Sequence, residues 1–312
     1  MTLSREAENF LWVEKYRPKT IDQCILPAEL KKIFNSIVAG KEAQNLLLCG
    51  GPGCGKTTVA KALCEQLNVD WIMINASENG NIDTLRTTIR NFASTVSLSG
   101  NGKVVILDES DFLNVSSTQP ALRAGIEEFS KNCRFILTCN HKNRIIEPLQ
   151  SRCSVIDFHF TGSEKSQMAE EFYARILEIL KAEHVSYDEK SVAKIIAKYF
   201  PDFRRCIGEF QKFSYSGQLQ ISEKYGNVNL DEVIRHMKAK NFSDVRKWVS
   251  TNNDLDYTTI FRSIYDILAT ILPSSAVPQA VLIIAEYQYK MSFSADQEIC
   301  MVACLAELML IM

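Results

Sequence analysis

Five short apolar runs punctuate the first 160 positions: 45–49 (NLLLC), 71–75 (WIMIN), 104–108 (VVILD), 134–139 (RFILTC) and 154–158 (SVIDF). They run on rather than alternating with polar residues. Each therefore predicts a strand covered on both faces, as in a parallel sheet. Helical spacing fills the intervals. Ile82, Leu85, Ile89, Phe92 and Val96 recur three and four apart, predicting one apolar helix stripe. Strand–helix alternation of this kind predicts a layered α/β domain with a parallel five-stranded sheet over 1–160.

After Phe160 the strands stop. Ser163 reads as an N-cap, followed by Met168, Phe172, Ile176, Ile179 and Leu180 in helical register. Helical patterns continue over 188–200 and 203–215, predicting a small helical domain over 161–226. The polar stretch 217–226 begins and ends with glycine and marks its boundary. From Asn227, Val228 and Leu230 another helical series runs to the end, predicting an all-α domain over 227–312. Pro273 and Pro278 are expected to break it into two main segments. The apolar stretch 299–312 contains Glu307 and is too short to span a bilayer, so it reads as a buried terminal helix rather than a membrane anchor.

Composition narrows the class. A chain of 312 residues has room for two domains or three small ones. An apolar fraction of 46% and a charged fraction of 23% exclude disordered, collagenous and fibrous chains. Thirty-five basic against 37 acidic side chains leave a net charge of −2. Any nucleic-acid binding must therefore come from local arrangement, or from several copies lining one surface. The ten cysteines include no Cys-x-x-Cys pair, and Cys49, Cys139 and Cys300 sit inside apolar runs as small hydrophobes. That usage fits a reducing cytoplasm, and the charged, polar first ten residues do not read as a signal peptide.

The strongest chemical signal is Gly50-Gly51-Pro52-Gly53-Cys54-Gly55-Lys56-Thr57, between a predicted strand and a predicted helix that includes Thr58. This G-x-x-x-x-G-K-[ST] pattern curls backbone N–H groups around phosphates, at the positive end of a helix. Lys56 would reach the β- and γ-phosphates and Thr57 would ligate Mg²⁺. Val104–Leu107 leads into Asp108-Glu109. Asp108 at a strand end is placed to hold the Mg²⁺ shell, and Glu109 to polarise the attacking water. Two solvated acids are the plainer alternative, and the phosphate loop fifty residues earlier weighs against it. Asn140 ends the fourth run, where it would approach the γ-phosphate or simply cap the strand. Asp111 is assigned no part in hydrolysis.

These motifs resemble the AAA+ ATPases, and more narrowly their clamp-loader subunits. Trp12-Val13-Glu14-Lys15-Tyr16-Arg17-Pro18-Lys19-Thr20 resembles the N-terminal box of replication factor C small subunits, and Ser151-Arg152-Cys153 resembles their Ser-Arg-Cys signature. Pro201-Asp202-Phe203-Arg204-Arg205 falls where the lid domain carries its second sensor. With the Pro-Leu-Gln-Ser-Arg-Cys run, the chain looks most like the large-subunit branch of T-even-type phage loaders. The resemblance covers about residues 12–215 and implies an AAA+ domain, a lid and a helical collar.

It further implies that Val13, Tyr16, Arg17, Pro18 and Ile25 surround the adenine and that Arg204 touches the γ-phosphate in cis. Arg152 would be the finger given to the neighbouring ATP site. Gln119 and Arg123 would be intersubunit residues. Arg86 and Arg90, four apart on one helix, would follow DNA phosphates, although a solvated face is the bland alternative. Val96 and Leu98 would touch the sliding clamp. The implied cofactors are ATP and Mg²⁺, without zinc, because only Cys64 lies between the two ATP motifs. The implied partners are further copies of the chain and a companion subunit, forming a pentamer, with a sliding clamp and primer–template DNA but no membrane. For a phage protein the setting would be the host cytoplasm. A branch-migration motor would need a further DNA-reading domain, and a non-catalytic scaffold would not need Lys56, Asp108, Glu109 and Arg152 all intact.

Overall fold

The structure, a computed structural model, describes residues 10–78, 82–97, 100–219, 230–252 and 257–312. Five parallel strands form one sheet: β1 (Leu46–Cys49), β2 (Asp70–Asn75), β3 (Lys103–Asp108), β4 (Cys133–Cys139) and β5 (Ser154–Asp157), in the order β2-β3-β4-β1-β5. Side chains leave alternate faces of each strand and feed two separate cores. Leu46, Leu48, Val104, Ile106 and Ile136 join Phe34, Val59 and Leu63 on one face. Leu47, Val105, Leu107, Phe135 and Leu137 join Ile89, Leu122 and Ile126 on the other. Each such side chain contributes about 1.5–3 kcal/mol by leaving water.

Only the three central strands are buried throughout almost their whole length. Continuous apolar runs predict equal burial for the outermost strands, but Met73 on β2 is 42% exposed and Val155 on β5 38%. At a sheet edge the helical layers no longer cover both faces. The helix Ile82–Ala93 ends before Val96, which is 88% exposed and so leaves the expected stripe. At that end the Phe92 carbonyl accepts both the Lys103 ammonium and the Thr95 hydroxyl, each at 2.9 Å, which satisfies it outside the helix.

The chain divides into two compact units, Met1–Ile221 and Ser222–Met312. In the first, the sheet is followed by the helices Gly162–Ala182, Glu189–Tyr199 and Phe203–Phe213. Thr161, not Ser163, caps the first of them. Its hydroxyl accepts the Glu164 N–H, and the Glu164 carboxylate accepts the Thr161 N–H at 2.8 Å. Met168, Phe172, Ile176, Ile179 and Leu180 are all buried, as their spacing predicts. Phe172, Phe200 and Phe203 form a ring cluster with centroids 5.0–6.2 Å apart, holding the start of the third helix.

The second unit comprises five described helices, Leu230–Lys238, Phe242–Thr251, Tyr257–Ile271, Val277–Met291 and Gln297–Leu310, around Trp248, Phe261, Met301 and Leu305. Pro273 follows a helix end as expected. Pro278 does not break a helix: it stands in the first turn of one, where its missing N–H leaves no bond unmade. The terminal helix buries Cys300, Met301, Cys304, Leu305, Leu308 and Met309. No helix among the described residues is long and apolar enough to cross a membrane. The boundary near 226 lies outside the described residues.

Candidate active site

The phosphate loop follows β1 and opens the helix Lys56–Leu67. Gly55 has φ +98° and Gly53 φ +69°, backbone that side chains disfavour. A Cβ at Gly53 would stand 1.8 Å from Asp202 Oδ1, so the loop and the third lid helix meet there. The Phe203 N–H also donates to the Gly53 carbonyl at 3.1 Å. Lys56 is buried and donates to the carbonyls of Gly50 at 2.8 Å and Gly51 at 2.7 Å, and to Asn140 Oδ1 at 3.0 Å. The end of β4 thus reaches the loop lysine, which puts Asn140 where its position in the fourth run suggests.

Thr57 Oγ1 donates to Asp108 Oδ1 at 2.7 Å. The same oxygen receives the Thr138 hydroxyl at 2.6 Å, and Thr138 in turn accepts the Glu109 N–H at 3.1 Å. Glu109 holds φ +57°, a left-handed conformation that costs a non-glycine residue on the order of 1–3 kcal/mol. The Asp111 carboxylate is buried and takes the N–H groups of Asn140 at 3.3 Å and His141 at 3.2 Å. Motif reading gives Asp111 no part in hydrolysis; the structure shows it holding the backbone of the residue that faces Lys56. Hard oxygen donors paired beside an ammonium-bearing phosphate cradle match the needs of a Mg²⁺–triphosphate.

One cleft contains Val13, Tyr16, Arg17, Pro18 and Ile25, the loop residues Pro52–Thr58, and Asp108, Glu109, Asn140 and Arg204. Of the phosphate-loop residues Gly50 and Gly51 are absent from its lining; their carbonyls hold Lys56 instead. The helical lid adds Phe172, Arg175, Ile179 and Ile207, none of them anticipated. Arg175 sits beside buried Ile176 in the helical register, which reads only as a core pattern. Arg17 donates to Thr58 Oγ1 at 3.1 Å and to Glu14, whose carboxyl it holds below its ordinary range. Tyr16 and Lys15 both donate to Glu183 at the end of the first lid helix. Burial pushes the Glu183 pKa up, but these two donors outweigh it and leave the pKa lowered. Burial pushes the Cys54 thiol up as well.

Other expected residues stand elsewhere. Arg152 precedes β5, at the end of the sheet opposite the phosphate loop, because the strands are parallel and the loop follows β1. Its guanidinium donates to Glu127 at 2.8 Å and to the Pro148 carbonyl at 2.7 Å, and it lowers the Glu127 pKa. Arg123 is exposed one helical turn before Glu127. Gln119, expected at a subunit contact, is fully buried. Its amide donates to the carbonyls of Leu113 at 3.1 Å and Arg144 at 2.9 Å and accepts the Ile146 N–H at 2.8 Å. It therefore ties the segment after the Asp-Glu pair to the segment leading toward Arg152. Arg86 and Arg90 are exposed, and Arg90 lies 3.4 Å from Glu128. Val96 is exposed on its loop, and Leu98 lies outside the described residues. Among the described residues no cluster of three or more His, Cys, Asp or Glu is arranged to hold a metal ion.

A phosphate loop with paired acids at the neighbouring strand end, closed over by a helical lid that carries an arginine, defines a P-loop ATPase of the AAA+ class. Residues 46–160 match the ATPase family associated with various cellular activities, and residues 164–223 match the sliding-clamp-loader large subunit, AAA+ ATPase lid domain. The sliding-clamp-loader large subunit of Enterobacteria phage T4 is 41% identical over 255 residues, covering 79% of each chain. The replication factor C small subunit of Archaeoglobus fulgidus is 37% identical over 254 residues, covering 77% of each. The chain belongs to the sliding-clamp-loader ATPases. The branch-migration motor RuvB of Thermotoga maritima, with a TM-score of 0.52 and 20% identity over 71% of this chain and 79% of its own, shares the fold.

Proposed function

We propose that several copies of this chain, with a companion subunit, form a pentameric loader in the cytoplasm. It opens a sliding clamp and places it on primer–template DNA, with ATP hydrolysis stimulated by that DNA. The observation that carries this reading is the division of the chemistry. Lys56, Thr57, Asp108, Glu109, Asn140 and Arg204 share one cleft, whereas Arg152 stands at the far end of the same sheet. A cleft that lacks its finger is completed by a neighbour, so turnover depends on assembly.

The geometry supports a role for each residue in this reading. Val13, Tyr16, Pro18 and Ile25 offer apolar and aromatic contact to the adenine. Loop N–H groups, Lys56 and Arg204 neutralise the phosphates, and Arg204 couples the lid to the γ-phosphate. Thr57 and Asp108 would hold Mg²⁺, which would supply neutralisation of the phosphate charge. Glu109 takes a proton from the attacking water, and Asn140 orients that water. Arg152 of a neighbouring copy stabilises charge developing on the transferred phosphoryl group. It must first leave Glu127, an exposed pair of the kind that contributes little and separates readily.

DNA contact would fall to Arg86 and Arg90 of each copy, following phosphates without reading bases. Val96 and Leu98 would meet the clamp, and Arg123 would meet the neighbouring subunit. ATP, clamp and DNA would act together by favouring the same assembled state.

The decisive experiment measures ATP turnover of the assembled complex with clamp and primed DNA. Arg152→Ala is expected to lower the rate by about 10³–10⁵ while leaving nucleotide binding intact. Unchanged turnover would remove the split-site reading, and the native mass of the complex reports the subunit count.

A further inference from the structure

We propose that Thr138 is a positioning residue for ATP hydrolysis: its one hydroxyl fixes Asp108 and Glu109 relative to each other. This rests on the ATPase reading above. Thr138 lies on β4, is 1% exposed, and sits beside Leu48 in the register with β1. It is neither in the phosphate loop nor in the Asp-Glu pair.

A buried hydroxyl must find partners. In a strand a nearby carbonyl would suffice. Thr138 instead donates its only proton to Asp108 Oδ1 at 2.6 Å and accepts the Glu109 N–H at 3.1 Å. Two consecutive residues with different jobs are thereby joined through one atom. The Asp108 oxygen also receives Thr57 Oγ1 at 2.7 Å, so two hydroxyls, one from β4 and one from the start of the helix after the phosphate loop, converge on the same carboxylate oxygen. Glu109 is a non-glycine residue at φ +57°. Its N–H bond to Thr138 holds that turn, and its carboxylate, with no hydrogen-bond partner among the described residues, is left to the cleft. Partners one step behind a metal-holding carboxylate set its direction, and losing one typically costs about 10–100-fold in activity or metal affinity.

The test uses the full chain assembled with its companion subunit, comparing Thr138→Val, which keeps shape and removes the hydroxyl, with Thr138→Ser, which keeps the hydroxyl. Thr138→Val is expected to lower kcat by about 10–100-fold, to raise the Mg²⁺ concentration needed for half-maximal rate, and to leave ATP binding in EDTA unchanged. Thr138→Ser is expected to restore most of the rate and the Mg²⁺ dependence. In a Glu109→Gln background, Thr138→Val should lower kcat less than in the parent, while the raised Mg²⁺ requirement persists because Asp108 is still released.

Parental kcat and Mg²⁺ dependence in Thr138→Val would overturn the proposal, as would equal losses in Val and Ser, the mark of packing alone. An assembly in which even the parent hydrolyses no ATP overturns the functional reading. The positioning role is then decided by Mn²⁺ binding to the nucleotide-loaded chain, read by its paramagnetic resonance. Weaker binding in Thr138→Val with recovery in Thr138→Ser supports the role, and equal binding overturns it. Should Thr138→Val fail to fold, hydrogen exchange of the Glu109 amide in the parent decides: slow exchange supports the bond and exchange at an open-loop rate overturns it.

Discussion

At the residue scale, the site joins strong motif residues to partners that carry no motif. Lys56 and the Asp-Glu pair are visible in the sequence because phosphate chemistry demands those residue types at that spacing. Thr138 and Asp111 are not, because a buried threonine in an apolar run looks like strand filling and a third acid looks solvated. Their roles depend on which backbone and side-chain atoms stand opposite, which only the adjacent strand ends decide. Glu109→Gln is expected to retain ATP and lose about 10²–10⁴ in turnover, as removal of a positioned base would cause, checked by nucleotide binding and ATPase rates on the same sample. Lys56→Ala removes a buried ammonium that serves two carbonyls and an amide; a loss of about 2–5 kcal/mol in nucleotide affinity is expected by calorimetry.

At the element scale, the phosphate loop and the lid restrain each other. Gly53 leaves room for Asp202, whose carboxylate caps the third lid helix through the Arg205 N–H at 2.9 Å. Gly53→Ala must therefore strain a left-handed residue and displace a cap, costs of about 1–3 kcal/mol and ~1 kcal/mol. A lower melting temperature and weaker nucleotide binding are expected together. A second tie joins Lys15 and Tyr16 to Glu183. Because the folded pKa of Glu183 is lowered, its contribution is present above the unfolded glutamate pKa and is lost as pH falls through the folded value. Glu183→Gln should flatten the acid side of melting temperature against pH; an unchanged acid side would show that this tie does not contribute. Capping illustrates what spacing leaves open. Ser163 and Thr161 both suit an N-cap, and the choice falls to Thr161 because Glu164 can close a reciprocal pair with it.

At the scale of the whole molecule, each chain holds a cleft and, at the other end of its sheet, Arg152, which the proposed assembly would present to another cleft. In the proposed assembly a near-neutral chain would bind DNA through Arg86 and Arg90 contributed by several copies. Arg86→Glu with Arg90→Glu is expected to weaken primer–template binding and to reduce the salt slope by about 0.9 for each phosphate no longer neutralised; an unchanged slope would clear these residues of a role at DNA. The helical unit Ser222–Met312 has its own core, and Phe261→Ala there should cost about 3–5 kcal/mol in a denaturant titration.

The sequence alone determined the strand positions, the helical lid, the phosphate loop and its paired acids, because hydrophobic period and phosphate geometry both act over a few neighbouring residues. Tertiary structure decided that the edge strands are partly exposed, that Gln119 is buried within its own chain, and that Thr138 bridges Asp108 and Glu109. Those outcomes depend on what lies across a strand or beneath a helix, and residues far apart in the chain meet there only after the sheet has formed.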